Sequence, residues 1–584
     1  MAAVLSLAGE PASAQTQHSG RDEPVPVAIA TVTDGKSGRK AACFAVDWIR
    51  IEGHHDLVER ASLEEAARPF ARSCQNQKSV SGLLQALSGV FADRGFVTTR
   101  ALLPEQDIAE SRQLIVRIVP GRIDKVVYKE ERKPYRGPLP RMAALGGTVL
   151  KSGSLGDLAE NARAWFEGLD DELESLTLLP ESARIAVART IAPDDVVQVD
   201  GLQDTLDSLN RVASNKAKAD LAPGRRPATS EVRITNRIED AFRLYAGYDT
   251  DSVEGVDKLR FGVTMEKDNL LGINDSWDLT LKSGIDTNQL TGGVSVSVGR
   301  ATLRARGDWS ENTAELGPLQ ELFTTTWNVS AGADYILHSA RTQSLVADVT
   351  VTHREENRYY NGLFALTDQR VSALETGLTY NRFYEQGSIS ARVASTLGLP
   401  VFNARVDPGD LGRDTPRSQF AKLDATLAGS YVIPGKASLS SSLSAQWSAD
   451  PLHSDDQMTI GSRASVRGFS SGGFKADSGV VWRNEAAFSL QGLLPDVSGK
   501  DASGGAAAVV SRLNPYVFLD AGFGHDIPND TNGYRVSSGG GLRYGGPLLS
   551  LDVGYALRLL SDRATRRAGG EAGELFVTLR AKVF

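Results

Sequence analysis

Leu549-Ser550-Leu551-Asp552-Val553-Gly554-Tyr555-Ala556-Leu557-Arg558 is the stretch on which the fold turns. Leu549, Leu551, Val553, Tyr555 and Leu557 alternate with Ser550, Asp552, Gly554 and Arg558. A period of two sends neighbouring side chains to opposite faces of a strand, here one apolar and one polar. The pattern recurs upstream as far as Ala241. Phe242, Leu244, Ala246 and Tyr248 alternate with Arg243, Tyr245 and Gly247, and Leu259, Phe261, Val263 and Met265 with Arg260, Gly262, Thr264 and Glu266. About sixteen such segments follow one another, the first near 242 and the last near 574. A soluble sandwich alternates too, but one apolar face on so many strands would be unusual there.

The connections also alternate in length. Short ones lie at Gly299-Arg300, at 434–436 and at Gly546; long ones lie at 310–324, 354–370, 397–418, 448–478 and 558–573. The turn at 491–513 and the loop at 285–290 break the rule. Short turns on one side and long loops on the other mark an outer-membrane barrel. Closure removes the open edges that hydrocarbon does not tolerate. No run approaches the roughly 20 apolar residues of a transmembrane helix. The mean hydropathy of −0.22 does not exclude a membrane, because a barrel strand turns only every second residue to lipid. A formal charge of −8 offers no basic footprint for nucleic acid.

Ahead of the barrel, expected over 235–584, the periodicity is mixed. Val4-Leu5-Ser6-Leu7-Ala8 with Ala12-Ser13-Ala14 reads as the remnant of a secretory signal over 1–14, lacking a basic start. An ordinary tail is the alternative. Residues 15–41, with Pro24 and Pro26, read as a linker. In 42–121 a strand over 44–52 precedes two helical stretches. The second, over 80–91, aligns Leu83, Leu84, Leu87, Val90 and Phe91 on one face and stops at Gly95. Strands over 96–103 and 113–119 complete a β-α-α-β-β order, an α+β unit. A second unit over 122–234 ends in a helix over 201–212 and strands over 218–224 and 229–234, with an insertion around 170–199.

Phe91-Ala92-Asp93-Arg94-Gly95-Phe96-Val97-Thr98-Thr99-Arg100-Ala101-Leu102-Leu103-Pro104-Glu105-Gln106-Asp107, then Val119-Pro120-Gly121-Arg122-Ile123, resembles the first periplasmic POTRA domain of two-partner secretion transporters of the haemolysin-activator type. Cys43 and Cys74 match a pair common in that domain. In an exported chain they would be bonded, because the periplasm is oxidising; two unpaired buried thiols are the alternative. The ending of the second unit is similar to the family's second POTRA domain, and a third, degenerate unit stays open. The family's N-terminal plug helix has no counterpart in the pattern of 15–41.

Gly461-Ser462-Arg463-Ala464-Ser465-Val466-Arg467-Gly468-Phe469, Arg483-Asn484-Glu485 and Phe518-Leu519-Asp520-Ala521-Gly522 resemble the V-R-G-Y/F loop, R-N-E strand and F-x-D-x-G motif of these transporters. Alternation supports the likeness. Val517, Leu519, Ala521 and Phe523 form an apolar face, which turns Asp520 to the lumen, and Arg483 and Glu485 oppose Trp482, Asn484, Ala486 and Phe488. Arg467, carried inward on the longest loop, would meet Asp520 and Glu485 in a pair whose planar fork fixes orientation as well as charge. Gly468 would let the tip turn sharply. The resemblance implies a latch of Val466, Arg467, Gly468 and Phe469 seated on Phe518, Asp520, Gly522 and Glu485; a static internal bridge is the alternative.

It further implies export of an unfolded partner exoprotein through a barrel in outer-membrane lipid. The POTRA domains would capture the client in the periplasm. The barrel-assembly machinery would insert the chain, with no metal or other cofactor. An assembly insertase of the same superfamily and a passive porin are the rivals. Enzyme readings are weak: His54-His55 lacks metal-ligand spacing, and no P-loop or H-E-x-x-H occurs. In the last strand Val577, Leu579, Ala581 and Val583 run out of phase with Phe584, so Phe584 faces inward or follows a bulge.

Overall fold

The computed structural model describes residues 25–28, 46–71, 75–132, 176–250, 259–317, 320–366, 368–470, 473–490, 509–562 and 572–583. The expectations on residues 1–14, Cys43, Cys74 and Phe584 fall outside them. A first sheet has the order β1-β2-β4-β3, from β1 (Val25–Ala28), β2 (Trp48–Gly53), β3 (Arg100–Leu102) and β4 (Gln113–Val119). The pair β2–β4 is parallel, β1–β2 and β3–β4 antiparallel. Helices α1 (Arg60–Ala67) and α2 (Gln77–Asp93) pack on it, and a short α3 (Ile108–Ser111) precedes β4.

Local chemistry sets the ends of α2. The Ser79 amide donates to Asn76 Oδ1 while the Asn76 amide donates to Ser79 Oγ, a reciprocal cap for two orphan donors. At the other end the amides of Gly95 and Phe96 donate to the carbonyls of Ala92 and Phe91. Gly95 takes a φ of +86°, which a residue with a Cβ resists. Leu83, Leu87 and Phe91 are fully buried with Ile49, Ile51, Leu114 and Val116. Each such side chain stabilises by roughly 1.5–3 kcal/mol.

Two expectations need correction here. The stretch read as a linker contributes β1, paired to β2 from Val25↔Ile51 to Ala28↔Trp48. Its proline sits on a sheet edge, where a missing N–H is tolerated. The strand expected over 96–103 shrinks to β3, because the turn after Gly95 is closed by the Thr99 amide donating to the Phe96 carbonyl.

Next come β5 (Arg122–Arg132), α4 (Glu181–Ala188), α5 (Val199–Asn210), β6 (Asn215–Pro223) and β7 (Thr229–Ile238), with sheet order β5-β7-β6. The insertion expected near 170–199 thus carries α4.

The rest is a closed antiparallel barrel. Its wall runs through β8 (Phe242–Asp249), β9 (Arg260–Asp268), β10 (Asp275–Ser283), β11 (Thr287–Val298), β12 (Ala301–Gly317), β13 (Gln320–Ala340) and β14 (Gln343–Tyr360). A two-residue strand, β15 (Phe364–Ala365), is appended to β14. The wall continues with β16 (Gln369–Tyr384), β17 (Gly387–Leu399), β18 (Ala421–Ile433) and β19 (Ala437–Ser448). The hairpin β20 (Met458–Ile460) and β21 (Phe474–Ala476) stands apart from the wall. The wall then resumes with β22 (Ser478–Phe488), β23 (Leu513–Asp526), β24 (Thr531–Gly545), β25 (Leu549–Ser561) and β26 (Gly573–Lys582). β26 pairs back onto β8 from Thr578↔Asp249 to Lys582↔Tyr245. Among the described residues, 16 strands make the wall.

Faces follow the alternation. On β9, Phe261, Val263 and Met265 are exposed outward, while Arg260 and Glu266 face the lumen and pair with Asp249 and Arg243. Trp327, Val329 and Leu575 continue the outer belt, with Leu575 60% exposed. Phe576 is buried on the lumen side. Such a belt is stable only against hydrocarbon. No described helix is long and apolar enough to cross a membrane. Wall strands differ in length, from 8 residues in β8 and 9 in β10 to 21 in β13.

Candidate functional site

The connection between β19 and β22 folds into the barrel through the hairpin β20–β21, paired Met458↔Ala476 and Ile460↔Phe474. Ile460, Val466, Phe469 and Ala476 are buried in one cluster with Val481 of the wall. Glycines in the wall make room for them. A Cβ on Gly522 would lie 2.7 Å from Ile460 Cγ2 and 2.9 Å from Val466 Cγ2, and one on Gly533 2.5 Å from Phe474 Cζ. The bed is thus shaped by side chains that are missing.

Arg467, 5% exposed, lies at the tip. Its Nε donates to Asp520 Oδ2 at 2.6 Å and its Nη2 to Asp520 Oδ1 at 2.9 Å, while Nη1 donates to Glu485 Oε2 at 2.8 Å. The Arg467 amide adds a bond to Asp520 Oδ2 at 3.3 Å. Below, the guanidinium carbon is 3.6 Å from the centre of the Phe518 ring, close enough for a cation–π contact. Asp520 is fully buried. A desolvated pair gives little net stability, but removing one partner strands a buried charge at about 3–5 kcal/mol.

The other expected residues sit beside this pair. Gly468 has a φ of +86°, and a Cβ there would approach Ala556 Cβ to 2.8 Å. Its carbonyl accepts from Arg558 Nε at 2.5 Å. Phe469 is buried, with the guanidinium carbons of Arg535 and Arg558 5.6 and 5.3 Å from its ring centre. The Ser470 amide donates to Glu574 Oε2 at 3.1 Å. Arg483 donates to the carbonyl oxygens of Ala464 and Arg463 at 3.0 and 3.3 Å. Geometry brings Val466, Arg467, Gly468, Phe469, Phe518, Asp520, Gly522 and Glu485 into one lumenal site. The cysteine pair belongs to no described contact.

Sequence reasoning missed Arg543, Arg558 and Glu574. Arg543 of β24 binds both oxygens of Glu485 and donates through Nε to Asp552 Oδ2 at 3.2 Å. These residues lie on β24, β25 and β26, where Arg543 meets Glu485 of the wall and the loop seated in the lumen brings Gly468 and Ser470 to Arg558 and Glu574. Their signal was limited to lumen-side parity. The letters of Gly468-Phe469-Ser470-Ser471-Gly472 match a G-x-S-x-G string, which signals a nucleophile only on a strand-to-helix elbow with a histidine in reach. Here Gly468 and Ser470 are part of the loop tip.

Comparison with known proteins agrees with this architecture. The family model for haemolysin secretion/activation protein ShlB/FhaC/HecB matches residues 228–544, and that for the ShlB-type POTRA domain matches residues 44–121. The outer membrane transporter CdiB of Escherichia coli O6:K15:H31 (strain 536 / UPEC) is 22% identical over 488 residues, covering 82% of this chain and 74% of its own. The haemolysin transporter protein ShlB of Serratia marcescens is 22% identical over 548 residues, covering 90% and 84%. The solved structure of CdiB from Escherichia coli superposes with a TM-score of 0.72 at 19% identity, covering 96% of this chain and 94% of that one.

Proposed function

The chain belongs to the ShlB/FhaC/HecB family of haemolysin secretion/activation proteins, and from that premise we propose a latch mechanism for its transport. It is a two-partner secretion transporter of the outer membrane, not an enzyme, and its family implies a secreted partner. In the proposed mechanism, POTRA domains over 42–121 and 122–234 capture the unfolded exoprotein. The edge strand β3, with Leu102 and Leu103 exposed, offers a backbone to which an extended client adds a strand. Lipid surrounds the barrel over 235–584, and the barrel-assembly machinery inserts it. Residues 1–14 are a signal remnant in this reading, and Cys43 and Cys74 are bonded.

The observation that carries the latch is the buried fork between Arg467 and Asp520 inside a closed wall. With the fork made, the loop occupies the lumen. When it opens, the loop moves and the client passes. Folding outside draws the client through, and no nucleotide is required. Arg467→Ala is expected to leave barrel levels and heat-modifiability unchanged while export of the partner, measured by immunoblot of the medium, falls at least tenfold. Native export at native barrel levels would reduce the fork to a static bridge.

A further inference from the structure

The loop carrying Arg467 has a second charged attachment near its start. Arg354 of β14 donates through Nη2 to Asp456 Oδ2 at 2.6 Å and through Nη1 to Asp456 Oδ1 at 3.2 Å. Each side chain is 13% exposed. The Asp456 carbonyl accepts from Lys422 Nζ of β18 at 3.1 Å and from Gln446 Nε2 of β19 at 3.2 Å. Asp456 is therefore gripped by three wall strands, none of which binds Arg467. Fully buried Asp477 closes the base of the loop. Its Oδ1 accepts from the Leu452 amide at 2.7 Å and from Gln457 Nε2 at 3.0 Å, and its Oδ2 from the Ile527 amide at 2.8 Å.

Two forked ion pairs thus hold one loop to separate parts of the wall. Such attachments reinforce each other, because each holds the other's partner at high effective concentration. Losing either then weakens the seat by more than its own contacts. Arg354 and Asp456 lie outside the V-R-G-F, R-N-E and F-x-D-x-G strings.

We propose that Arg354 is a positioning residue for transport, acting through Asp456 to keep Arg467 seated on Asp520. The proposal rests on the latch reading. The test places a cysteine at the exposed tip residue by Ala464→Cys in the full chain. Intact cells are then treated with a polymer-linked maleimide too large to enter the lumen. Arg354→Ala is expected to raise the labelling rate about tenfold, the effect of a shift of about 1.4 kcal/mol, with heat-modifiability retained. Exchanging the partners, Arg354→Asp with Asp456→Arg, should return labelling to the native rate. Support for the wall alone would alter heat-modifiability and leave labelling unmoved.

Native labelling in a folded Arg354→Ala barrel, or no recovery in the exchanged pair, overturns the proposal. If Arg354→Ala does not fold, Arg354→Lys decides, since it keeps the charge and loses the fork. Faster labelling supports the proposal and a native rate overturns it. Arg467→Ala run in parallel separates the failures. If it changes neither labelling nor export, the latch reading falls; if only Arg354→Ala is silent, the second attachment falls alone.

Discussion

Arg467 directs Nε and Nη2 to one carboxylate and Nη1 to another, over an aromatic face. A lysine keeps the charge but cannot form that planar fork, so Arg467→Lys should export nearly as poorly as Arg467→Ala. Arg467→Ala combined with Asp520→Ala should be little worse than either alone, because residues in one pair are not additive. Quantitative immunoblots of medium and envelope measure both. Gly468→Ala should also weaken the seat, by about 1–3 kcal/mol of backbone strain and by contact with Ala556. The facing of Arg467's partners was legible because alternation alone turns Asp520 and Glu485 inward. The second arginine on Glu485 was not, since parity fixes a face and says nothing of which strands meet around a closed wall.

Among the elements, α2 was the most legible, because its apolar spacing, its glycine stop and its burial agree. β1 was the least. A four-residue strand with a proline has no period to detect, and only pairing with β2 defines it. The core of this sheet lies within residues 46–118. A fragment of residues 42–121 is therefore expected to be folded and monomeric without detergent, by circular dichroism and sedimentation. Leu87→Ala in it should lower stability by about 2–5 kcal/mol. Cys43 and Cys74 should resist alkylation until reduced, and a bond closing about 30 residues should add roughly 3–4 kcal/mol in the chain-entropy account. Alkylation of both thiols without prior reduction would refute the bond.

At the scale of the barrel, period two made the number of strands and most of their starts readable, since every strand shows one face to lipid and one to the lumen. Loop conformation was not readable, because burial inside the pore imposes no period on sequence. The outer belt gives a direct test. Leu279→Arg, on the lipid face at the middle of β10, should cost about 2–4 kcal/mol near mid-membrane and lower the inserted fraction on heat-modifiability gels. Thr280→Arg, one residue on and facing the lumen, should insert normally. Equal behaviour of the two would mean that the faces are assigned wrongly.

The unequal strands have a consequence of their own. At about 3.4 Å per residue and a tilt of roughly 40°, the 21 residues of β13 rise some 55 Å, while the 9 of β10 rise some 23 Å. An apolar band of about 25 Å absorbs the shorter strand completely. β13 and its long neighbours therefore stand outside the cell surface as a parapet on one side of the pore mouth. A client exported by the proposed route would, beside it, lose part of the space an unfolded polymer otherwise explores. Unfolded conformations excluded in this way need not be given up later, so the entropy opposing the first folded turns is smaller there. On the proposed mechanism the parapet would make the pore mouth itself a place where folding starts, each turn formed there keeping the client from sliding back.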